Sequence, residues 1–435
     1  MKKTVLSAVL VFATAFPIDA SAIPAFSRQT GLNCSGCHAQ PIPLLNAFGR
    51  TFKAEGYIRM GAPRNTEGEW LPLPQSLNAA LLFKYGYRKS DGSEAVFASG
   101  GGTTVMPGTN EGHCGTDDLS LYFGGRITDG DYIRIGFLNR NDLVHGHVAD
   151  LRVPIVLEAV EFKLSAIPFT TRSLGVQYGY ELSSGGVLRS GHWSVHRRET
   201  SAIQYNADLG EGGTATGNAF VLQHDLFYLN YTLWSSSFVP GANGIASTRY
   251  GQRYLRLVVT PVIADYRILA GIGRMSGSSY GNQIGGDVES RQTFIDVQAQ
   301  GEVDGLGANL FLQQARAPVC GASITASIGT TGVCAYNGTV VAGANTYGVT
   351  ERKATTLGTS LALIPHTLSV GVALRKASNG GMVGSNGDDA KTLSATFDLL
   401  QNIALHLDYS SYSGSAHDLV NAQKSRLTIQ LEAAL

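Results

Sequence analysis

Between Ser76 and Leu435, apolar and polar residues alternate strictly over segments of about ten residues, and a period of two is the period of a β-strand. Leu368, Val370, Val372 and Leu374 alternate with Ser369, Gly371, Ala373 and Arg375. Leu393, Ala395, Phe397 and Leu399 alternate with Ser394, Thr396 and Asp398, and Leu405, Leu407 and Tyr409 with His406 and Asp408. Earlier cases are Ile133, Ile135 and Phe137 against Arg134 and Gly136, and Leu174, Val176, Tyr178 and Tyr180 against Gly175, Gln177 and Gly179. About 16 such segments are counted, within the range of closed bacterial barrels.

A soluble sandwich or propeller also alternates. The barrel is preferred because the chain ends on an alternating strand, Leu427, Ile429, Leu431, Ala433 and Leu435 against Thr428, Gln430 and Glu432. Turn signals such as Asp129-Gly130 and Asp304-Gly305 alternate with long loops around residues 90–116 and 317–346, the pattern of short periplasmic turns and long outer loops. Closure follows from physics: a sheet edge in lipid leaves backbone groups unpaired at several kcal/mol each. Charged residues are 15% of the chain and glycines number 53, which suits narrow strands that meet lipid. No apolar run beyond residue 23 reaches the length of a transmembrane helix. Zero net charge gives no reason to expect nucleic-acid binding.

On this reading the polar phase faces a lumen. Glu158, Glu161, Lys163, Arg256, Arg267, Asp296, Arg375, Asp398, His406 and Asp408 are its expected lining, as ion pairs rather than individual sites.

The first residues differ in kind. Lys2 and Lys3, the apolar stretch Val5 to Phe16, and Ala20-Ser21-Ala22 have the form of a signal peptide cleaved near Ala22. An apolar run of about a dozen residues is too short to span a bilayer. The expected division is therefore residues 1–22 as signal peptide, 23–75 as a small haem segment and 76–435 as the barrel, in the outer membrane of a Gram-negative bacterium.

Cys34-Ser35-Gly36-Cys37-His38 is the reason for that haem segment. Two thiols at this spacing add to the two vinyl groups of one haem c, and the adjacent imidazole falls beneath the iron as proximal ligand. No second CxxC or HxxxH pair follows to complete a zinc site. Pro43 to Lys53 reads as a short helix with Leu44, Leu45, Phe48 and Phe52 on one face, towards the porphyrin. About 50 residues cannot build an independent core, so a surrounding wall must supply apolar contact, and the segment is expected in the lumen. Met60 is the candidate distal ligand; His113, Met106 or no protein ligand remain alternatives. Cys320 and Cys334 flank a Gly/Ala/Ser/Thr-rich stretch and are a candidate disulfide, while Cys114 lies in a Gly/Thr/Asn-rich loop as an incidental thiol.

The run Ile23-Pro24-Ala25-Phe26-Ser27-Arg28-Gln29-Thr30-Gly31 before the haem motif, then Phe48-Gly49-Arg50-Thr51-Phe52-Lys53 and Gly56-Tyr57, resembles the fused monohaem cytochrome c and porin proteins, outer-membrane iron oxidases of Fe(II)-oxidising bacteria. The resemblance covers residues 23–58. It implies that Fe(II) gives an electron to the haem within the barrel and that a periplasmic cytochrome c or similar carrier takes it away. Cys34, Cys37 and His38 match the family's motif; no Fe(II)-binding motif does, and no catalytic residue separate from the haem is expected. Two other readings stand beside this one: a porin for small solutes with a haem plug, and a surface cytochrome for another donor or for outward electron transfer.

Overall fold

The computed structural model describes residues 24–39, 44–58, 65–66, 73–74, 78–92, 94–97, 103–106, 112–128, 132–144, 147–171, 199–207, 215–235, 238–239, 244–245, 250–281, 286–290, 292–317, 333–336, 351–379, 386–400, 402–418 and 422–435. Sixteen antiparallel strands close into one barrel. They are β1 (Ala79–Ser90), β2 (His113–Arg126), β3 (Ile133–Asp142), β4 (His147–Arg152 continued by Ile155–Glu158), β5 (Lys163–Thr171) and β6 (Ala215–Gln223). Next come β7 (Phe227–Ser235), β8 (Gln252–Val259 continued by Val262–Ile263), β9 (Tyr266–Gly281), β10 (Gln292–Val303) and β11 (Leu306–Ala317). The last five are β12 (Arg352–Ile364), β13 (Leu368–Ser378), β14 (Asp389–Leu400), β15 (Ile403–Ser413) and β16 (Ser425–Ala434). Strands β4 and β8 are each interrupted at a proline, Pro154 and Pro261, which has no N–H to give the ladder.

The alternation is borne out residue by residue. In β8, Gln252, Tyr254, Arg256 and Val258 are buried inward, while Leu255, Leu257 and Val259 are exposed outward. The same outward phase exposes Ile295, Val297, Leu310, Leu312, Val372, Leu374, Leu393 and Leu407, an apolar belt around the outside. The terminal strand closes the barrel on the first: Arg426 to Ala434 pair with Ser90 to Leu82, and Leu81 and Leu435 exchange two backbone hydrogen bonds of 2.8 Å. At the foot of β10, Asp304 and Gly305 form the expected two-residue turn with φ of 53° and 77°. Asp129-Gly130 and the segment Leu174 to Tyr180 lie outside the described residues.

The connections at one end are short; those at the other are longer, except for the β3–β4 connection at residues 143–146. Some of the long connections carry further strands, as a separate hairpin in one case and as an extension of β9 in another. Thr103–Met106 pairs with Glu94–Phe97, and Val333–Tyr336 pairs with Gly286–Ser290, so neither region is loop throughout. Strand β2 begins at His113, opposite Arg88, because β1 runs on to Ser90 and offers it a partner.

Helix α1 (Pro24–Thr30), helix α2 (Ala47–Ala54) and helix α3 (Ala202–Ala207) fill the lumen. Ala25 packs with Ala80, Leu82, Tyr122, Leu138 and Ala434 of the wall, joined by Phe26 and Tyr57. Leu44 reaches the opposite side, against Phe311 of β11 and Ala373 of β13. The N-terminal segment therefore crosses the barrel as a plug in the half nearer the short turns.

Candidate functional site

The motif is presented by a turn held from three sides. Helix α1 stops at Gly31, whose φ of 68° only glycine adopts cheaply and whose N–H bonds the Ser27 carbonyl at 2.8 Å. Arg28 donates to the Ala79 carbonyl at the start of β1, and Thr30 Oγ1 donates to the Phe26 carbonyl at 2.8 Å. The chain then enters a short 3₁₀ turn, Cys34–Gly36, and His38 pairs in a single antiparallel bridge with Leu45. Asn46 locks turn to helix: its Nδ2 donates to the carbonyls of Ser35 and Gly36 at 3.1 and 3.0 Å, and its Oδ1 caps α2 by accepting from Gly49 N at 2.9 Å. A Cβ on Gly49 would stand 2.0 Å from the Cys37 carbonyl oxygen, so only glycine lets α2 sit this close.

The helix is shorter than the expected span from Pro43. Asn46 caps it, so Leu44 and Leu45 precede it and do not share a face with Phe48 and Phe52; Leu44 turns to the barrel wall instead. Helix α2 ends in a Schellman arrangement, with Gly56 N to Lys53 O and Tyr57 N to Phe52 O both at 2.9 Å. This gives physical content to Gly56-Tyr57, and it delivers Tyr57 onto Phe26, stacked at 5.0 Å between centroids, with Phe52 edge-on to both. Glu55, fully buried, is held by Arg134 at 3.0 Å and Lys163 at 3.2 Å, both also paired with Glu158. Gln300 Nε2 donates to the Leu45 carbonyl at 3.1 Å on the far side.

These residues fit a covalent haem. Cys37 and His38 are half-buried on one turn that Cys34 opens, with the half-exposed apolar side chain of Leu32 against Gly36 and that of Leu45 beside Gly49. Gln29, 3% exposed, has neither amide atom hydrogen-bonded among the described residues, so polar capacity is left beside the motif. Met60 and Cys320 lie outside the described residues, as do the side chains of Cys34, Met106, His113 and Cys334. Cys114 is on β2 with an exposed side chain, a correction to its expected place in a loop that follows from the length of β1. No group of three or more His, Cys, Asp or Glu side chains able to hold a metal occurs among the described residues.

Most expected lumen residues face inward. Arg256 and Asp296 form a fully buried pair at 2.6 Å, Arg375 meets Asp388 at 2.5 Å, and Asp398, His406 and Asp408 are buried on the inner wall. Glu161 is the exception: β4 ends at Glu158, which puts Glu161 in an exposed turn.

Sequence reasoning missed the second lumen element. Residues 199–207 enter the half of the barrel nearer the long loops, where Glu199 accepts from Ser410 at 2.5 Å and also meets Tyr412 and Arg426. Ser201 Oγ caps α3 by accepting from Gln204 N at 3.2 Å and donates to Gln313 at 2.8 Å. Tyr205 donates to Asp388 at 2.8 Å, between the guanidinium groups of Arg352 and Arg375 at 4.0 and 4.3 Å from its ring. Burial alone would raise the Asp388 carboxyl, yet Arg375 and His417 outweigh it and hold that group well below the usual carboxylate range. Ala54 of the plug and Ala202, Ile203 and Tyr205 belong to one apolar cluster with wall residues such as Ile167, Val258 and Phe294, so both elements pack on the same inner wall.

No family model matches the chain, and no curated protein matches it. Among solved structures it is similar to a loop-deletion form of OmpT, an outer membrane protein of Vibrio cholerae, with 11% identity and a TM-score of 0.49 over 83% of this chain and 99% of that one. An anion-selective porin from Comamonas acidovorans gives 12% and 0.49 over 83% and 99%. The outer membrane channel DcaP of Acinetobacter baumannii gives 10% and 0.48 over 83% and 97%.

Proposed function

We propose that this chain is a porin-type barrel of the outer membrane that carries electrons rather than solutes, with one haem c tethered by Cys34 and Cys37 and ligated by His38. The outward belt of Leu, Val and Ile supports a lipid setting, and by the loop lengths the short turns face the periplasm. The carrying observation is the CxxCH turn pinned by Asn46 and Gly49 inside a plug that, with residues 199–207, packs the lumen. A plugged lumen obstructs diffusion but suits a redox centre, because it fixes the position of the turn that bears His38.

When bound, haem supplies a one-electron centre whose potential follows from its axial ligands, burial and neighbouring charge. Asn46 and the Leu45 bridge orient the turn that bears His38, the Phe26, Phe52 and Tyr57 cluster anchors it to the wall, and Glu55 holds its far end through Arg134 and Lys163. The donor in this reading is external Fe(II), which loses one electron to become Fe(III); a periplasmic cytochrome c or similar carrier accepts that electron. What supports iron as the donor is the resemblance of residues 23–58, and this makes the chain an Fe(II) oxidase.

Anaerobic addition of Fe(II) to the purified oxidised protein tests it. Reduced-haem absorbance is expected, and its loss in His38→Ala with the barrel intact. Covalent haem that dithionite reduces but excess Fe(II) does not would direct the proposal to another donor or to outward electron flow. The second reading, a solute porin with a haem plug, is favoured by the closed barrel with charged inner walls. Rapid swelling of liposomes containing the holo-protein would establish it over electron transfer.

A further inference from the structure

We propose that the short-turn rim is a docking surface for a soluble protein with a lysine-rich face around its own redox group. This rests on the electron-transfer reading and names the kind of acceptor it uses. Four successive hairpins on one side of the barrel, β4–β5, β6–β7, β8–β9 and β10–β11, carry Glu161, Asp225, Asp265 and Asp304 at their tips and Glu302 at the end of β10, all exposed. Among the described residues, none of the short connections at this end contains a lysine or arginine. Of the basic groups nearby, Arg134 and Lys163 are paired with Glu55 and Glu158, Arg126 donates to the Thr128 carbonyl and exposed Arg28 to the Ala79 carbonyl, while Arg267, half-buried near the foot of β9, lies on that strand's inward phase with buried Leu269.

The plug supplies an independent observation. Its motif-bearing stretch lies as a chord across this acidic crescent: Leu45 is tied to Gln300, above the Asp304 turn, and Glu55 to Lys163, beside the Glu161 turn. Between those two ties run α2 and the adjoining CxxCH turn, where Arg28, Gly31 and Asn33 are exposed. A cationic protein drawn to the crescent thus approaches the end of the barrel nearer the motif, while residues 199–207 fill the other end. Single-sign charge of this kind steers encounter and orients the complex, and it is screened beyond a Debye length of about 8 Å at physiological salt. Asp265 and Asp304 sit at φ of 67° and 53°, so turn geometry alone accounts for an Asx residue there but not for its charge, nor for Glu161 and Glu302.

The test measures binding of the haem-loaded full chain, in detergent, to a lysine-rich soluble cytochrome c and to an acidic one. The variant is E161Q/D225N/D265N/E302Q/D304N, in which Asn retains the left-handed turn positions. Expected are binding of the lysine-rich protein alone, weakening by about tenfold or more in the variant, and a similar loss at high salt. Equal binding by wild type and variant, equal binding of both cytochromes, or no binding at low salt overturns the proposal. Haem staining on the same sample separates the two claims. Charge-dependent binding without covalent haem sinks the electron-transfer reading and leaves the surface; haem without such binding does the reverse.

Discussion

At the residue scale, the haem motif depends on two neighbours that supply no ligand. Gly49→Ala places a methyl carbon where the Cys37 carbonyl stands 2.0 Å away, against backbone that cannot swing aside. Overpacking of this kind costs about 1–3 kcal/mol, most of it borne by the plug. The expected result is a lower melting temperature of the haem absorbance, with barrel mobility on unheated gels unchanged. Asn46→Ala removes a helix cap, worth about 1 kcal/mol, and strips the Ser35 and Gly36 carbonyls of their donor. It should therefore loosen the same turn without any steric clash, and equal melting of wild type and Asn46→Ala would show that the turn is held otherwise. The CxxCH turn stands out in the sequence because of its spacing. Asn46 and Gly49 do not, since their importance lies in which carbonyls they meet.

At the scale of elements, the seam between β1 and β16 carries a titratable clip. Beyond the end of β1, Asp91 accepts from the backbone N–H groups of Lys424 and Ser425 at 2.8 and 2.6 Å and from the Ser425 hydroxyl at 2.9 Å. Slight burial would raise its carboxyl, but those donors outweigh it and lower it below the ordinary value. A folded-state value below the unfolded one adds stability that is present above the unfolded value, near 3.9, and lost as pH falls through the folded value. The unfolding temperature of the barrel, followed by gel mobility, should drop over that acidic interval, and Asp91→Asn should drop less. An unchanged pH profile in that variant would exclude the clip. Among the described residues the strands were read correctly because each buries alternate residues, as β8 does from Gln252 to Val259. Residues 199–207 escaped notice because nothing periodic marks a connection whose Glu199 and Tyr205 find partners on β12 to β16 and their connections.

At the scale of the whole molecule, the lumen is filled in two layers with separate anchors, and this fixes how the barrel should respond to opening either one. The plug is latched by Arg134 and Lys163 on Glu55, and breaking a buried pair by removing one partner costs about 3–5 kcal/mol. The upper layer is held by Glu199 on Arg426 and by Tyr205 on Asp388. Strand pairing is independent of both, because every barrel strand is hydrogen-bonded to its neighbours, so variants in either layer should still give a closed, heat-modifiable barrel. Liposomes with wild-type protein should swell slowly in a small sugar. Arg134→Ala with Lys163→Ala should change this little, since residues 199–207 still obstruct the far half, and Glu199→Ala with Tyr205→Ala should change it little because the plug remains. All four together should let the sugar through rapidly, a more than additive effect. If wild type already swells as fast as the fourfold variant, the layers are permeable, and the solute-pore reading replaces the electron conduit.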